Sequence, residues 1–193
     1  MFCGIIRHQG VIVYLDLSRG RLRVFSPQLA WRLRPGDSIA VDGVCLTVTR
    51  RTRQTFSVDL SPETIRRTTF RWLRPGRPVN LELPMRLSDR IHGHPVLGHV
   101  DGVGIVRVTR PVPGILTIRA PARLCRYIAE KGSIAVNGVS LTIASRYGKD
   151  ATFALIPETL RRTNFRVLKP GARVNLEVDV LARYTLGART TRK

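Results

Sequence analysis

Cysteine is scarce in this chain. Three residues of 193 (Cys3, Cys45, Cys125) are an odd count with no Cys-x-x-Cys spacing. That argues against a disulfide framework and a cysteine-based zinc centre, and a free thiol suits a reducing compartment. No apolar run approaches the ~20 residues that cross a bilayer. The opening MFCGIIRHQG lacks the layout of a signal peptide. The expectation is therefore a soluble cytoplasmic protein with no membrane partner. Acidic residues are also few, 13 against 33 basic ones, for a formal charge of +20. Nearly all of the excess is arginine, since lysine occurs only at 131, 149, 169 and 193. Such a field attracts nucleic acid, phosphorylated ligands or acidic partners. The arginines are spread along the chain, which favours a solvated basic surface. Barrels that bind single strands need aromatic stacking platforms. With aromatics at 6%, nucleic acid is not the expected partner.

What the chain does have is an internal repeat. Residues 38–83 align with 133–178 at a constant offset of 95, and 25 of the 46 positions are identical. SIAVDGVCLTV matches SIAVNGVSLTI, and SPETIRRTTFRWLRPGRPVNLEL matches IPETLRRTNFRVLKPGARVNLEV. The openings match more weakly, GIIRHQGVI against GHVDGVGIV, at an offset of 94. A unit of this length is a small domain rather than a solenoid repeat. The expected organisation is two lobes, 1–90 and 91–183, followed by a basic tail, 184–193. Such lobes commonly pack about a pseudo-twofold axis, with ligand sites in or between them.

Each lobe reads as six short apolar or alternating runs, in the first copy near 11–14, 21–25, 38–41, 45–48, 56–60 and 79–83. Asp42-Gly43 and Asn137-Gly138 are strong hairpin signals. With no long helix, the expected fold is all-β: two tandem six-stranded Greek-key barrels related by pseudo-twofold symmetry, with short helices and a short C-terminal helix or tail. Short helices are predicted at 27–33 and 121–129, and at the prolines Pro62 and Pro157. Ser61 can cap the third of these, whereas Ile156 cannot cap the fourth.

The opening Met-Phe-x-Gly-Ile-Ile, then SIAVDGVCLTV, SPETIRRTTF, GHPVLGHVDG, KGSIAVNGVSLTI, IPETLRRTNF and VNLEVDVLARY, resemble the riboflavin synthase alpha-chain family up to about Tyr184. The resemblance implies two barrels, each with a lumazine or flavin pocket, in a homotrimer. It implies dismutation of two 6,7-dimethyl-8-ribityllumazine molecules by four-carbon transfer, giving riboflavin and 5-amino-6-ribitylaminopyrimidinedione, with neither cofactor nor metal. The active site is implied to lie between the N-lobe of one subunit and the C-lobe of a neighbour. One lumazine must lose a proton from a ring methyl while the other accepts a nucleophile. Alignment of two heterocycles and donors to ring oxygens supply much of such a rate.

The resemblance assigns catalytic roles to Ser140, Asp179, His99, Cys45 and Ser38. Cys45 and Ser140 occupy the same position of the two lobes; on their residues alone, each reads as a small strand residue packed in a barrel. Asp179 is implied as a polar partner of the serine, and its N-lobe mate is Pro84. Lys131 is implied as a pocket lysine and also reads as a helix C-terminal cation. Implied ligand contacts in the N-lobe are Gly4-Ile5-Ile6, Cys45-Leu46-Thr47 and Asp59-Leu60-Ser61-Pro62-Glu63-Thr64. In the C-lobe they are Gly98-His99-Val100, Lys131, Ser140-Leu141-Thr142 and Ala154-Leu155-Ile156-Pro157-Glu158-Thr159. Ile6 and Ile156 are expected to sandwich the ring, and Thr64 and Thr159 to bind ribityl hydroxyls.

His92, His94 and His99 have spacings that zinc can use, but no further ligand is offered at the right spacing. The chain departs from the family at Cys3, at His92-Gly93-His94 and at Leu97. It also departs in a short tail carrying Gly187, Arg189, Arg192 and Lys193, which argues against a long bundling helix and so against the trimer. The alternative function is a lumazine- or flavin-binding paralogue without catalysis.

Overall fold

Turn chemistry decides where strands stop. At Asp42-Gly43 φ is 46° and 76°, and at Asn137-Gly138 it is 44° and 77°. That left-handed pair is what a two-residue hairpin needs. The structure, a computed structural model, describes residues 1–110 and 114–187. In the first half, β1 (His8–Asp16), β2 (Arg21–Phe25), β3 (Ser38–Val41), β4 (Val44–Arg51), β5 (Thr55–Asp59) and β6 (Pro78–Glu82) close into a barrel of order β1-β2-β5-β4-β3-β6.

The second half contains β7 (Gly102–Arg110), β8 (Ile115–Arg119), β9 (Ser133–Val136), β10 (Val139–Thr142), β11 (Ser145–Tyr147), β12 (Asp150–Ala154) and β13 (Arg173–Val178). Their order, β10-β9-β13-β7-β8-β12-β11, is the same circuit. It differs from the expected six closed strands because the counterpart of β4 is broken into β10 and β11. In the first half β4 and β5 pair from Val48↔Val58 to Arg51↔Phe56. At the matching seam Ile143 N donates to Gly132 O (3.0 Å) and Ala144 N to Thr152 O (2.9 Å). Val48 N makes the same bond to Asp37 O (2.9 Å), so the copies differ in pairing. β11 pairs β12 only from Ser145↔Thr152 to Tyr147↔Asp150, and among the described residues no ladder joins β10 to β12, which leaves the ring open there.

The stretches predicted as helices at 27–33 and 121–129 form only 3-10 turns, Ala30–Arg32 and Ala122–Tyr127. The proline-led helices are α1 (Pro62–Arg67) and α2 (Pro157–Arg162). Ser61 Oγ accepts from Thr64 N at 3.0 Å, while Ile156 gives no side-chain cap. Each helix is laced by one glutamate: Glu63 pairs with Arg66 and Arg67, and Glu158 with Arg161 and Arg162. α3 (Val180–Gly187) runs across the lobe boundary expected at 183. The expected tail beyond it, residues 188–193, lies outside the described residues. No helix among the described residues is long and apolar enough to cross a membrane.

Each half buries its own core, around Ile12, Leu22, Phe56 and Phe70 in the first and around Leu116, Phe153, Phe165 and Leu176 in the second. The segments leading into the two halves are exchanged. Ile6, which precedes β1, is buried in the core of the second half. Val100, which precedes β7, packs on the core of the first. Between the halves, Phe2 and Val96 exchange backbone hydrogen bonds (2.7 and 3.0 Å) and cluster with Ala40 and Ala135.

A buried polar network ties the halves together. Asn80 Oδ1 accepts from Asn164 N, and its mate Asn175 Oδ1 accepts from Thr69 N, both at 2.8 Å. Asn80 Nδ2 donates to Asn137 O (3.0 Å), as Asn175 Nδ2 does to Asp42 O (2.9 Å). These reciprocal bonds define the pseudo-twofold axis. They satisfy polar groups that would otherwise be costly to bury.

Candidate functional site

Two equivalent sites arise where each leading segment crosses to the other half. In the first site, Ser140 N on β10 donates to Gly4 O at 2.8 Å. In the second, Cys45 N on β4 donates to Gly98 O at 3.0 Å. Gly4 has φ +76°, and a Cβ there would lie 2.6 Å from Ser140 Cβ. Gly98 has φ +80°, and a Cβ there would overlap Cys45. Only glycine permits both the left-handed backbone and the close approach.

A buried carboxylate holds each crossing segment. Glu82 accepts from the amides of Cys3 (2.9 Å) and Gly4 (3.1 Å). Its repeat mate Glu177 accepts from those of Leu97 (2.8 Å) and Gly98 (3.0 Å). Burial pushes both carboxyl groups up, while the amide donors pull them back toward the ionised form. At Glu82 the Cys3 thiol is a further donor, Sγ to Oε1 at 3.2 Å. That carboxylate and burial hold the thiol itself above its ordinary range.

The exchange regroups the expected contacts. Gly4 and Ile6 belong with Ser140, not with Cys45, while Ile5 faces a separate cleft beside Arg7 and His8. Gly98-His99-Val100 belong with Cys45, not with Ser140. The resemblance grouped them by sequence order, which does not reveal which half a leading segment docks against. Ile6 and Ile156 therefore both belong to the Ser140 side, but differently: Ile6 is core at 5% exposure, and Ile156 is 62% exposed.

A cleft of about 360 Å3 opens at Ser140. Of the expected C-lobe contacts it gathers Lys131, Leu141, Thr142, Ala154, Ile156 and Thr159, and it adds Ile143 and Ala144. Alternation along β10 places Leu141 inward and Ser140 and Thr142 outward. Lys131 sits at φ +65°, where its repeat mate Gly36 sits at +93°. A non-glycine residue in that region stores of order 1–2 kcal/mol. The strain is placed on a side chain that lines the cleft. Leu155, Pro157 and Glu158 follow β12, next to the cleft residues, with Leu155 buried and Glu158 committed to Arg161 and Arg162.

Ser140 has a side-chain partner that was not foreseen. His94 Nδ1 lies 2.7 Å from Ser140 Oγ. His94 is 6% exposed and its Nε2 has no partner. Burial pushes the imidazole below its usual range, and Asp179 pulls it back up. Asp179 itself stands before α3, where its Oδ1 accepts from Leu181 N at 2.9 Å. Among the described residues Asp179 makes no direct hydrogen bond to Ser140; its charge acts on His94. The short Gly93 makes room, since a Cβ there would lie 2.9 Å from Ser140 Cβ. Zinc spacing drew attention to His94, but its ring is engaged by Ser140. Among the described residues no group of three His, Cys, Asp or Glu could hold a metal ion.

The other expected catalytic residues gather at the second site. Cys45 is half-buried opposite Ala40, Ser38 pairs with Thr47 across the hairpin, and His99 is exposed beside Gly98. Leu46 is buried and Thr47 exposed on β4. Asp59 ends β5, Leu60 is buried, and Ser61-Pro62-Glu63-Thr64 form the capped start of α1. Within one chain, Ser140 with Asp179 and Cys45 with Ser38 and His99 are therefore halves of two related sites. His94, Glu82 and Glu177 were not foreseen as site residues. For the glutamates the available signal was the strand VNLE, with an asparagine and a glutamate at the same places in both copies.

The lumazine binding domain family matches residues 3–84 and again 97–179. The riboflavin synthase of Photobacterium phosphoreum is 44% identical over 151 residues, 77% of this chain and 69% of that protein. That of Mycobacterium tuberculosis (strain H37Rv) is 39% identical over 192 residues, 95% of this chain and 96% of that protein. Among solved structures, LumP complexed with 6,7-dimethyl-8-(1'-D-ribityl) lumazine superposes with a TM-score of 0.83 at 26% identity. It covers 92% of this chain and 99% of its own. LumP complexed with riboflavin gives the same TM-score and coverage at 28% identity.

Proposed function

Because this chain belongs to the riboflavin synthase family of duplicated lumazine-binding domains, we propose that it dismutates two molecules of 6,7-dimethyl-8-ribityllumazine. One gives up a four-carbon unit and leaves as 5-amino-6-ribitylaminopyrimidinedione; the other gains it and becomes riboflavin. The observation that carries the reading is the Ser140–His94 pair in a cleft that also holds Lys131, Thr142 and Thr159.

In this reading Ser140 touches the reacting ring carbon or the water that adds to it. With Nδ1 accepting from the serine hydroxyl, neutral His94 carries its proton on Nε2. It takes the hydroxyl proton as the oxygen attacks, and Asp179 stabilises the imidazolium that results. Lys131 supplies positive charge to a ring that gains electron density, and Thr142 and Thr159 bind ribityl hydroxyls. The Cys45 site, with Ser38, His99 and Thr64, holds the second lumazine. The ranges 1–90 and 91–183 are the two lumazine-binding units, with 184–193 as the tail. A second subunit brings the Cys45 site of one chain to the Ser140 site of another, and the assembly consistent with that is a homotrimer. Three free cysteines fit a cytoplasmic setting.

The test is to mix purified protein with 6,7-dimethyl-8-ribityllumazine and follow flavin absorbance, with products separated by chromatography. Riboflavin and pyrimidinedione in equal amounts support the reading. Bound lumazine with no flavin overturns it in favour of a binding paralogue of the kind solved as LumP complexes.

A further inference from the structure

A second cleft, of about 390 Å3, is bounded by the start of β1, Arg32 and the segment after β6. It shares no lining residue with the Ser140 cleft. Four arginines face it: Arg7, Arg32, Arg86 and Arg90. Among the described residues seven arginines elsewhere pair with acids, as Arg119 does with Asp150 and Arg183 with Asp101, while others stand unpaired on the surface. Among the described residues none of these four has such a partner within 4.0 Å. The two carboxylates of the cleft are already engaged. Glu82 holds the Cys3 and Gly4 amides, and Asp89 Oδ2 accepts from Arg86 N at 2.8 Å. His8 also lines the cleft, and its Nδ1 is buried with no partner.

Unpaired arginines on an open convex surface are solvated and need no ligand. Four of them around one concavity are different. Low-dielectric walls focus the field there, and guanidinium forks match phosphate oxygens bidentately. The positive field is felt inside the cleft: besides burial, Arg32 and Arg7 push the His8 imidazole below its usual range. The walls also carry Ile5, Leu83 and Met85, which offer surface to an organic body and not only to an inorganic ion. The volume lies in the range of small-molecule sites.

We propose that this cleft is a second binding site, for a small phosphate monoester whose phosphate is held by the guanidinium groups of Arg7, Arg32, Arg86 and Arg90. The site stands whether or not the Ser140 cleft turns over lumazine.

The experiment titrates the full chain at constant ionic strength with inorganic phosphate, with ribose 5-phosphate and with ribose. Binding is read by calorimetry and by the NMR titration of His8. Ribose 5-phosphate is expected to bind saturably in the millimolar range or tighter, and more tightly than inorganic phosphate, while ribose does not bind. Bound monoester raises the His8 pKa. Arg7→Gln/Arg32→Gln weakens the monoester about tenfold or more, whereas Arg51→Gln/Arg53→Gln, on the exposed β4–β5 hairpin, leaves it unchanged. Circular dichroism confirms that both double variants fold. A response without saturation, or equal weakening in the two variants, overturns the site and leaves only bulk charge. Equal affinity for inorganic phosphate and the monoester overturns the monoester assignment in favour of the free ion.

Discussion

The Cys45 and Ser140 sites are built on the same backbone frame and loaded differently. Each has a left-handed glycine arriving from the other half, a buried glutamate holding it, and a small nucleophilic side chain two residues after a hairpin turn. The first half offers Cys45, a glycine at 36 and a proline at 84. The second half offers Ser140, Lys131 at a position that prefers glycine, Asp179, and His94 against the serine. Duplication supplied two pockets. Specialisation is visible only where the copies differ: Lys131, Asp179 and His94 are on the Ser140 side, while Asp59 and Ser61 on the Cys45 side face Ala154 and Ile156 in the other copy. In the proposed reading the two sites have unequal jobs, one to hold a ring and the other to act on one.

The sharpest way to break the comparison is to remove one hydroxyl. Ser140→Ala should lower lumazine turnover by roughly 10²–10⁴-fold, with binding of lumazine, followed by its fluorescence, nearly unchanged. Cys45→Ser, which makes the first site resemble the second, should cost less than about tenfold. Equal losses in the two variants would mean that the sites share the chemistry evenly. The His94 pair adds a pH signature. Because burial holds His94 below its usual range, turnover should stay flat down to below about pH 6.5 and then fall as the imidazole takes up a proton. His94→Gln should lose that acidic limb as well as rate.

The frame itself comes next. Gly4→Ala forces a Cβ into Ser140 at positive φ, and Gly98→Ala does the same against Cys45. Each should destabilise the protein by about 2–4 kcal/mol in urea unfolding. Similar losses from the two would show that both halves depend on the exchange, whichever of them carries the chemistry.

The axis offers a smaller contrast. Asp42 and Asn137 are mates, and Oδ1 of each accepts a backbone N–H, from Asn80 at 2.7 Å and from Asn175 at 2.8 Å. Asp42 receives an additional amide donor from Asn164 at 2.9 Å, whereas the mate of Asn164 is Thr69, which carries no amide. Even so, desolvation pushes the Asp42 carboxyl up to about 7. Its folded pKa lies above the unfolded value near 3.8. Its contribution is therefore full below about pH 4 and is lost as pH rises through about 7. Asp42→Asn should flatten that slope and leave the variant on the order of 2–4 kcal/mol more stable than the parent at pH 8. Parallel slopes in parent and variant, measured by unfolding from pH 4 to 8, would mean that Asp42 does not titrate in this range.

The strands were legible because alternation and the Asp-Gly and Asn-Gly turns are local. The repeat made the second half readable from the first. What could not be read was docking. Ile6 looks like the entry to β1 and is core of the other half, because an apolar residue in a leading segment carries no mark of its destination. His94 was legible as a histidine near glycines but not as the partner of Ser140, since 46 residues separate them and only the fold closes that gap. The break of β4's counterpart into β10 and β11 was hidden for a related reason. Ile143 and Ala144 keep strand-like residue types, and Ile143 N bonds Gly132 O just as Val48 N bonds Asp37 O, yet the β10 ladder ends at Thr142 and the β11 ladder begins at Ser145.

The smallest expected effect tests whether the strain at Lys131 serves the site. Its left-handed backbone costs of order 1–2 kcal/mol relative to a glycine. Lys131→Gly recovers that strain but loosens the unfolded chain, which returns roughly half. The variant should be about 0.5–1 kcal/mol more stable than the parent and should bind lumazine more weakly. Gly36→Lys, at the mate position where the backbone has φ +93°, should lose a similar amount of stability. A lysine there has no Ser140 cleft to line, so lumazine binding should not improve. Opposite signs of stability change, with a binding defect confined to Lys131→Gly, would show that one copy of a duplicated turn trades stability for a cation at its cleft. If Lys131→Gly gains stability and still binds and turns over lumazine as the parent does, the lysine is only a tolerated substitution in a glycine turn, and the inequality between the two sites rests on Ser140, His94 and Asp179 alone.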